Sequence, residues 1–444
     1  MERGFGDRSQ VLVLPRLNYF YNGWPEHCYT KQGKRVIIMK TVNEVIAFSK
    51  DVIRWGISGG IVYQLYLCIL VALMMLGVYA YFVQMKVGLS ATNMSDIVSW
   101  GFYIANFTFL VGVAAAAVMI IVPSYILKDK DLHKVVIIGE CVAIGALIMA
   151  LMFVFVDLGA PWNAWHLIPI IGLFNWPSSL LSWDVLVLNG YLALNLLVPS
   201  YILFCHYHNR EPDPKKYLPF VFLSIFWAFG IHLVTAFLYQ GLPARPFWNN
   251  PLMGPRFLAS AFAAGPALIM IVLNIIQARS SFKIDEAVYT KIRRIVVVAA
   301  IINLIMLFSE IFKEFYLPTH HSQPAIYLYF GLDGNTELVP WIWTGIAMNV
   351  IGTLILAFKP GGNRPIVLVP ACILLFLGIW IEKGIGTIIP GLVPSPLGEI
   401  VNYAPSWVEV CVTLGVLALG VFVVSVLLKP ALIIEQQFEA DATH

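Results

Sequence analysis

The sequence predicts an all-α membrane protein with ten transmembrane helices. Two observations carry that prediction and a third removes the main alternative. The 444 residues are 59% hydrophobic and only 12% charged, with a mean hydropathy of +0.80, whereas soluble domains carry roughly 25% charge. Ten apolar stretches each approach the ~20 residues that a helix needs to cross the hydrocarbon. No series of short alternating segments suggests an outer-membrane barrel. The ten are ordered here as two four-helix bundles, spans 2–5 and 6–9, with spans 1 and 10 flanking them.

Taken in order, the arm 1–56 is polar and basic, and its apolar run 11–14 is too short for a signal peptide. A more regular amphipathic pattern (Val42, Val45, Ile46, Phe48) follows Met39. The pattern makes Met39 a possible alternative start, and the cytoplasmic arm is expected to lead into an interfacial helix. Span 1 is placed at 57–83, with its loop reaching 97. Spans 2–5, at 98–126, 135–156, 180–204 and 218–239, make a first bundle over 98–241. Spans 6–9, at 257–276, 295–317, 338–358 and 366–381, make a second over 242–392. Span 10, at 408–428, and the tail fill 393–444.

Orientation follows from charge. Of 28 Lys and Arg, 23 lie in the arm or after even-numbered spans, and 5 after odd-numbered ones. The positive-inside rule then puts both termini in the cytoplasm, with the chain in the cell membrane. The opposite face carries the longer links, 157–179, 240–256, 318–337 and 382–407, of a size that often serves docking. With a net charge of +3 and no basic domain, nucleic-acid binding is excluded. The six cysteines, Cys28, Cys68, Cys141, Cys205, Cys372 and Cys411, form no close pair. They offer no ligand set for an iron–sulfur centre or structural zinc.

An internal repeat relates spans 2–5 to spans 6–9. Ile231-His232 precedes Gly241-Leu242-Pro243 by the same spacing that separates Ile381-Glu382 from Gly391-Leu392. His232 thus corresponds to Glu382, and Asp157 loosely to Glu310 and Glu314. Ser182-Trp183 opens span 4 much as Pro340-Trp341 opens span 8. Small residues, Gly112 with Ala114 to Ala117 in span 2 and Ala259, Ser260, Ala261, Ala263, Ala264 and Gly265 in span 6, line these spans for close helix approach.

Ionisable groups inside a membrane are costly and usually functional. Asp157, Asp184, His232, Glu310, Glu314 and Glu382 all fall toward the long-loop side, and Glu140 toward the other. Plainer readings stand beside the functional one. Glu314, Lys383 and Glu409 can snorkel to the interface, and Glu310 with Lys313 can form a local ion pair. Asp157, Asp184 and His232 can act as interhelical hydrogen-bonding groups, and Asn106, Asn189, Asn195, Asn274, Asn303 and Asn349 as interhelical glue.

Of nine histidines only His232 lies within a span; His166 and His232 could in principle ligate one haem, but no second, inner-leaflet pair exists for transmembrane electron transfer. The chain is expected to hold no metal, haem or flavin of its own. It can still handle a redox lipid, since quinol oxidation needs proton acceptors and a hydrogen-bonding pocket. The competing class is a secondary transporter, which ten spans and a repeat also fit. Against it, the acids crowd one leaflet and no matched Gly/Pro-interrupted pair of spans stands out. A purely structural anchor would leave the buried ionisable groups unexplained.

Several motifs sharpen this reading. Asp157-Leu158-Gly159-Ala160-Pro161 with Trp165-His166, His232-Leu233-Val234-Thr235-Ala236-Phe237, Arg245-Pro246-Phe247-Trp248-Asn249 and Arg256-Phe257-Leu258-Ala259-Ser260-Ala261 resemble the NrfD/PsrC family. Within it, the pattern is similar to the ten-span members, DsrP and the integral membrane subunit of Hdr-like menaquinol oxidoreductases. One departure is Ala160, where many relatives have Arg, so a salt bridge at that position is in question.

The resemblance implies a cofactor-free subunit that binds menaquinone as substrate near the outer face. It implies partners too: a ferredoxin-like iron–sulfur subunit docked there, a haem-bearing membrane subunit, a cytochrome c and an Hdr-like catalytic subunit. On this reading His166, His232, Asp157 and Asp184 carry the chemistry, with Trp165, Trp183 and Tyr239 as walls for the quinone ring. Glu140, Asn303, Glu310, Glu314 and Glu382 are expected to form a proton route.

Overall fold

The computed structural model describes residues 31–358 and 362–442, with side chains from 43 to 441. The chain divides into two compact units, Met1–Ala47 and Phe48–His444. The described part of the first belongs to the helix Lys31–Ile57.

The second unit contains ten helices long and apolar enough to span a membrane. They are span 1 Ile61–Val87, span 2 Phe102–Ile126, span 3 Val136–Asp157, span 4 Leu180–Tyr207 and span 5 Pro214–Gln240. Span 6 is Met253–Arg279, span 7 Glu286–Tyr316, span 8 Val339–Phe358, span 9 Pro365–Leu392 and span 10 Trp407–Asp441. Among the described residues there is no strand, only an isolated bridge between Leu332 and Asn335. The all-α membrane fold read from the sequence is the fold observed.

Several helices outrun their apolar stretches. Span 7 starts at Glu286 rather than 295, because hydropathy marks the embedded part whereas Lys291, Arg293 and Arg294 are good helix formers. Span 9 was expected to stop at 381, but it continues past Glu382 and Lys383, bends at Gly384 and resumes as Ile385–Leu392. That stretch, expected as loop, is helix. Span 6 likewise starts at Met253, which takes Arg256 out of the loop and into its first turn.

Neighbours in sequence pair closely, 2 with 3, 4 with 5, 6 with 7 and 8 with 9, while span 6 also touches spans 2, 5 and 9. The small residues do the packing anticipated for them. Ala114 to Ala117 are fully buried, and a Cβ added at Gly265 would overlap that of Ala116. Span 10 lies on span 1, where Gly77 and Gly415 meet backbone to backbone, with 2.7 Å to the Cα of Gly415 from a Cβ at Gly77. Span 2 is irregular: a 3₁₀ turn at Ala115–Ala117 precedes a π turn at Val122–Ile126. Pro123 cannot donate and would crowd the preceding turn, which accounts for the widening there.

Candidate functional site

The helix break at Gly384 builds the most charged interior feature. Gly384 leaves the helical region (φ −82°, ψ −100°), so Glu382 and Lys383 sit at an end inside the protein. Both are buried, at 4% and 5% exposure. Lys383 does not snorkel, contrary to its plainer reading. Its Nζ donates to the Phe257 carbonyl at 3.2 Å and lies 4.5 Å over that ring. Gly112 lies opposite it: a Cβ there would be 2.9 Å from Nζ, so the ammonium would have to shift. The break itself is held by the 245–249 motif. Arg245 donates to the Leu392 carbonyl at 2.8 Å and Trp248 Nε1 to the Thr387 carbonyl at 2.8 Å.

Arg256 is the hub that the sequence reading missed. Its guanidinium bridges Glu310 of span 7 and, at 2.5 Å, Glu382 of span 9. Asn349 donates to the second Glu382 oxygen at 2.5 Å, and Asn250 to Glu310 at 2.8 Å. The expected local pair of Glu310 and Lys313 does not form. Lys313 pairs with Glu314 at 3.0 Å, because a planar fork serves two carboxylates better than one flexible ammonium. Arg256, Glu310, Glu314, Glu382 and Lys383 line one recess with Phe247 and Tyr329, of about 610 Å³ including its open mouth. Glu140 and Asn303 are buried elsewhere, and among the described residues each keeps an oxygen without a partner. No hydrogen bond among those residues joins them to this cluster.

The residues of spans 3 to 5 present the opposite condition. Asp184 accepts from Thr235 at 3.0 Å through Oδ1, while Oδ2 has no partner among the described residues. His232, fully buried, bonds the Ala228 carbonyl at 2.9 Å through Nδ1. A carbonyl only accepts, so Nδ1 donates in that bond; the Gly112 carbonyl also faces the ring, and Nε2 makes no hydrogen bond among the described residues. His232 lies within electrostatic reach of Lys383. Asp157 ends span 3 with Oδ1 buried and unpartnered.

The next residues, Leu158, Gly159, Pro161 and Trp162, wall a small recess with Tyr81, Gln84 and Gly88. Tyr81 also borders an apolar groove of about 200 Å³ between spans 1, 3 and 10, and its hydroxyl has no partner among the described residues. Gln84 closes the polar side, donating to the Val156 carbonyl at 2.7 Å and accepting from Tyr103 at 2.8 Å.

Other expected members lie apart from these. His166 stacks on Trp165 at 3.7 Å, and its Nδ1 accepts from the Leu173 amide at 3.4 Å. All of these belong to the loop after span 3. Trp183 stands 4.0 Å from Trp176 and donates to the Pro177 carbonyl. Tyr239 is fully buried among Trp100, Trp248 and Phe257, with its hydroxyl bonded to Thr108. Among the described residues no ring contact joins Tyr239 to Trp165 or Trp183. Glu409 does not snorkel: it is fully buried and accepts from Tyr403 and from the amides of Asn93 and Ser406, at 3.0 and 2.9 Å for the amides. It clasps the loop after span 1 to the start of span 10.

Residues 90–391 match the family described as polysulphide reductase, NrfD. The chain belongs to this family. It is a multi-pass integral membrane protein on that match and on its ten apolar helices. A selenate reductase subunit of Mesobacillus selenatarsenatis is 21% identical, covering 86% of this chain and 97% of that protein. A putative membrane subunit of dimethyl sulfoxide reductase from Halobacterium salinarum is 24% identical over 81% and 89%. The Hdr-like menaquinol oxidoreductase integral membrane subunit of Archaeoglobus fulgidus is 24% identical over 84% and 94%. All three relatives are named as parts of oxidoreductases, and none as a transporter.

Proposed function

We propose that this chain is the quinone-interacting membrane subunit of a multi-subunit oxidoreductase. It exchanges electrons between menaquinol and an iron–sulfur subunit docked on the long-loop face. Kinship supports the general role, and the relative named for menaquinol supports the substrate. The observation that carries the site is Asp157: it has a buried carboxylate oxygen without a partner among the described residues, and its chain neighbours Leu158 and Val156 line a small recess and an apolar groove. A quinol loses two protons with its two electrons, and in this reading Asp157 takes the first. Tyr81 and Gln84 orient the ring. Asp184, with an acceptor oxygen left free among the described residues, and His232 relay protons from there. His166, on the exposed loop, faces the partner side and carries protons outward.

The loop after span 3 supports a docked partner. Trp162, Ile170, Ile171 and Leu173 are all strongly exposed, and Ile170 is held at φ +77°, a conformation that a β-branched residue adopts only under constraint. The haem-bearing subunit, cytochrome c and Hdr-like protein belong to the same proposal, as do cytoplasmic termini. In the same proposal Glu310, Glu314 and Glu382 form the long-loop part of a proton route, with Glu140 and Asn303 toward the terminal face. In the assembled complex, Asp157→Asn should lower menaquinol-dependent reduction of the partner clusters by roughly 10²–10⁴, the usual scale for a proton acceptor. Full turnover with a soluble quinol analogue would move the site to the Arg256 recess.

A further inference from the structure

The last turns of the helix Lys31–Ile57, from Phe48 onward, end just before span 1. They are fixed in place from one side. Phe48 packs on Phe204 and Tyr207 at 5.5 and 5.4 Å between ring centres, and Trp55 on Tyr207 at 6.0 Å. Tyr207 donates to Asp51 at 2.6 Å. The C-terminal carbonyls of Gly56 and Ile57 are taken by Tyr63 and Gln64 of span 1 at 2.6 and 2.7 Å. Gly56 lies against span 10, where a Cβ would be 2.5 Å from the Val426 carbonyl.

The other side is bare. Lys50, Ile53, Arg54 and Ile57 follow one another at helical spacing on a single stripe, and all four are exposed, Ile53 at 59% and Ile57 at 47%. Among the described residues no acid pairs with Lys50 or Arg54. Lys429, which donates to the Ser58 carbonyl, adds a third cation at the same helix end. The stripe leads directly into Ile61, Val62 and Leu65 of span 1, exposed at 83%, 72% and 63%, which is lipid-facing surface. A fixed helix end at the bilayer edge, with isoleucines between unpaired cations, is complementary to an anionic and partly apolar surface.

We propose that this stripe is a binding surface for anionic phospholipid headgroups, with Lys50 and Arg54 on the phosphates and Ile53 and Ile57 between the acyl chains. It goes beyond the quinone reading and does not depend on it. The test uses the full chain in nanodiscs of phosphatidylcholine mixed with phosphatidylglycerol. Lipid retained on extraction should be enriched in phosphatidylglycerol on the order of tenfold, the scale for two cations at an anionic surface. Lys50→Gln with Arg54→Gln, both exposed and without structural partners, should abolish most of that enrichment and leave quinol turnover intact. Equal enrichment in the double variant, or none in the natural chain, overturns the proposal. In native membranes a photo-reactive residue at Ile53 should label lipid. A polypeptide adduct there would assign the stripe to a protein partner and sink the lipid reading.

Discussion

The carboxylates of spans 3 and 4 keep oxygens without partners, whereas those of spans 7 and 9 share one guanidinium. Asp157 and Asp184 each leave an oxygen unbonded among the described residues. Glu310 and Glu382 are joined by Arg256, with Asn250 and Asn349 completing the shell. Carboxylates in two parts of the helical assembly have thus taken opposite electrostatic solutions. An unpaired buried acceptor is costly unless a proton or ligand completes it, so the first region suits turnover. A paired cluster holds helices together, and breaking it leaves uncompensated charge. The difference teaches that buried charge alone does not identify a catalytic site; unmet hydrogen-bonding capacity is the more selective mark.

The largest effects should come from the unpartnered set. Alongside Asp157→Asn, the variants Asp184→Asn and His232→Ala should each cut menaquinol-dependent turnover by about 10²-fold or more. The thermal midpoint in detergent should hold for Asp184→Asn, since an amide oxygen can still accept from Thr235. A variant with lowered stability and normal turnover would turn the comparison round.

The second region should respond the other way. Arg256→Met strands Glu310 and Glu382 and is expected to cost about 3–5 kcal/mol, the range for removing one partner of a buried pair. Adding Glu310→Gln and Glu382→Gln should recover much of that loss. Thermal unfolding of the natural chain, the single variant and the triple variant measures it. No recovery would mean that Arg256 acts through packing alone.

These two regions were unequally legible in the sequence. Ten spans were readable because hydropathy over ~20 residues is a strong local signal. The break at Gly384 was not, since a single glycine after two charged residues reads equally well as a helix end. Nor was the hub role of Arg256. Its partners lie 54 and 126 positions away, and no spacing rule links them. The local rule pairing Glu310 with Lys313 failed because both meet better partners, one buried and one exposed. The unpartnered oxygen of Asp157 is likewise a property of packing, although its place at the end of span 3 was correctly read.

A smaller effect tests the Arg245–Asn249 motif as a brace for the break. Gly391 lies against Trp248, and a Cβ added there would overlap the indole at Cε2. Gly391→Ala should therefore displace Trp248 and cost about 1–3 kcal/mol, the range for overpacking. Its quinol turnover should fall less than that of Asp157→Asn. An unchanged thermal midpoint would show that helix Ile385–Leu392 shifts freely and that the brace is dispensable.

The smallest effect lies outside the membrane, where the loop after span 2 meets span 7. Asp129 caps the turn Lys130–His133 by accepting from the amides of Asp131 and Leu132. It also holds Lys291 at 2.6 and 2.7 Å. The Lys291 hydrogen bond, helped by those two amides, keeps its carboxyl below the usual carboxylate range. A depressed value means that the ionised form is favoured by folding. The stabilisation is thus fully present above the unfolded value near 3.9 and is lost as pH falls through the folded value. Because the group is largely solvated, the contribution should stay below about 1 kcal/mol. Asp129→Asn keeps a capping oxygen while removing the charge, so it isolates the ion pair from the cap. Its deficit in thermal midpoint against the natural chain should be measurable at pH 7 and should vanish toward pH 2–3. A deficit that persists unchanged at acid pH would assign the effect to the cap, and Asp129→Ala, which removes both, should then lose no more than Asp129→Asn.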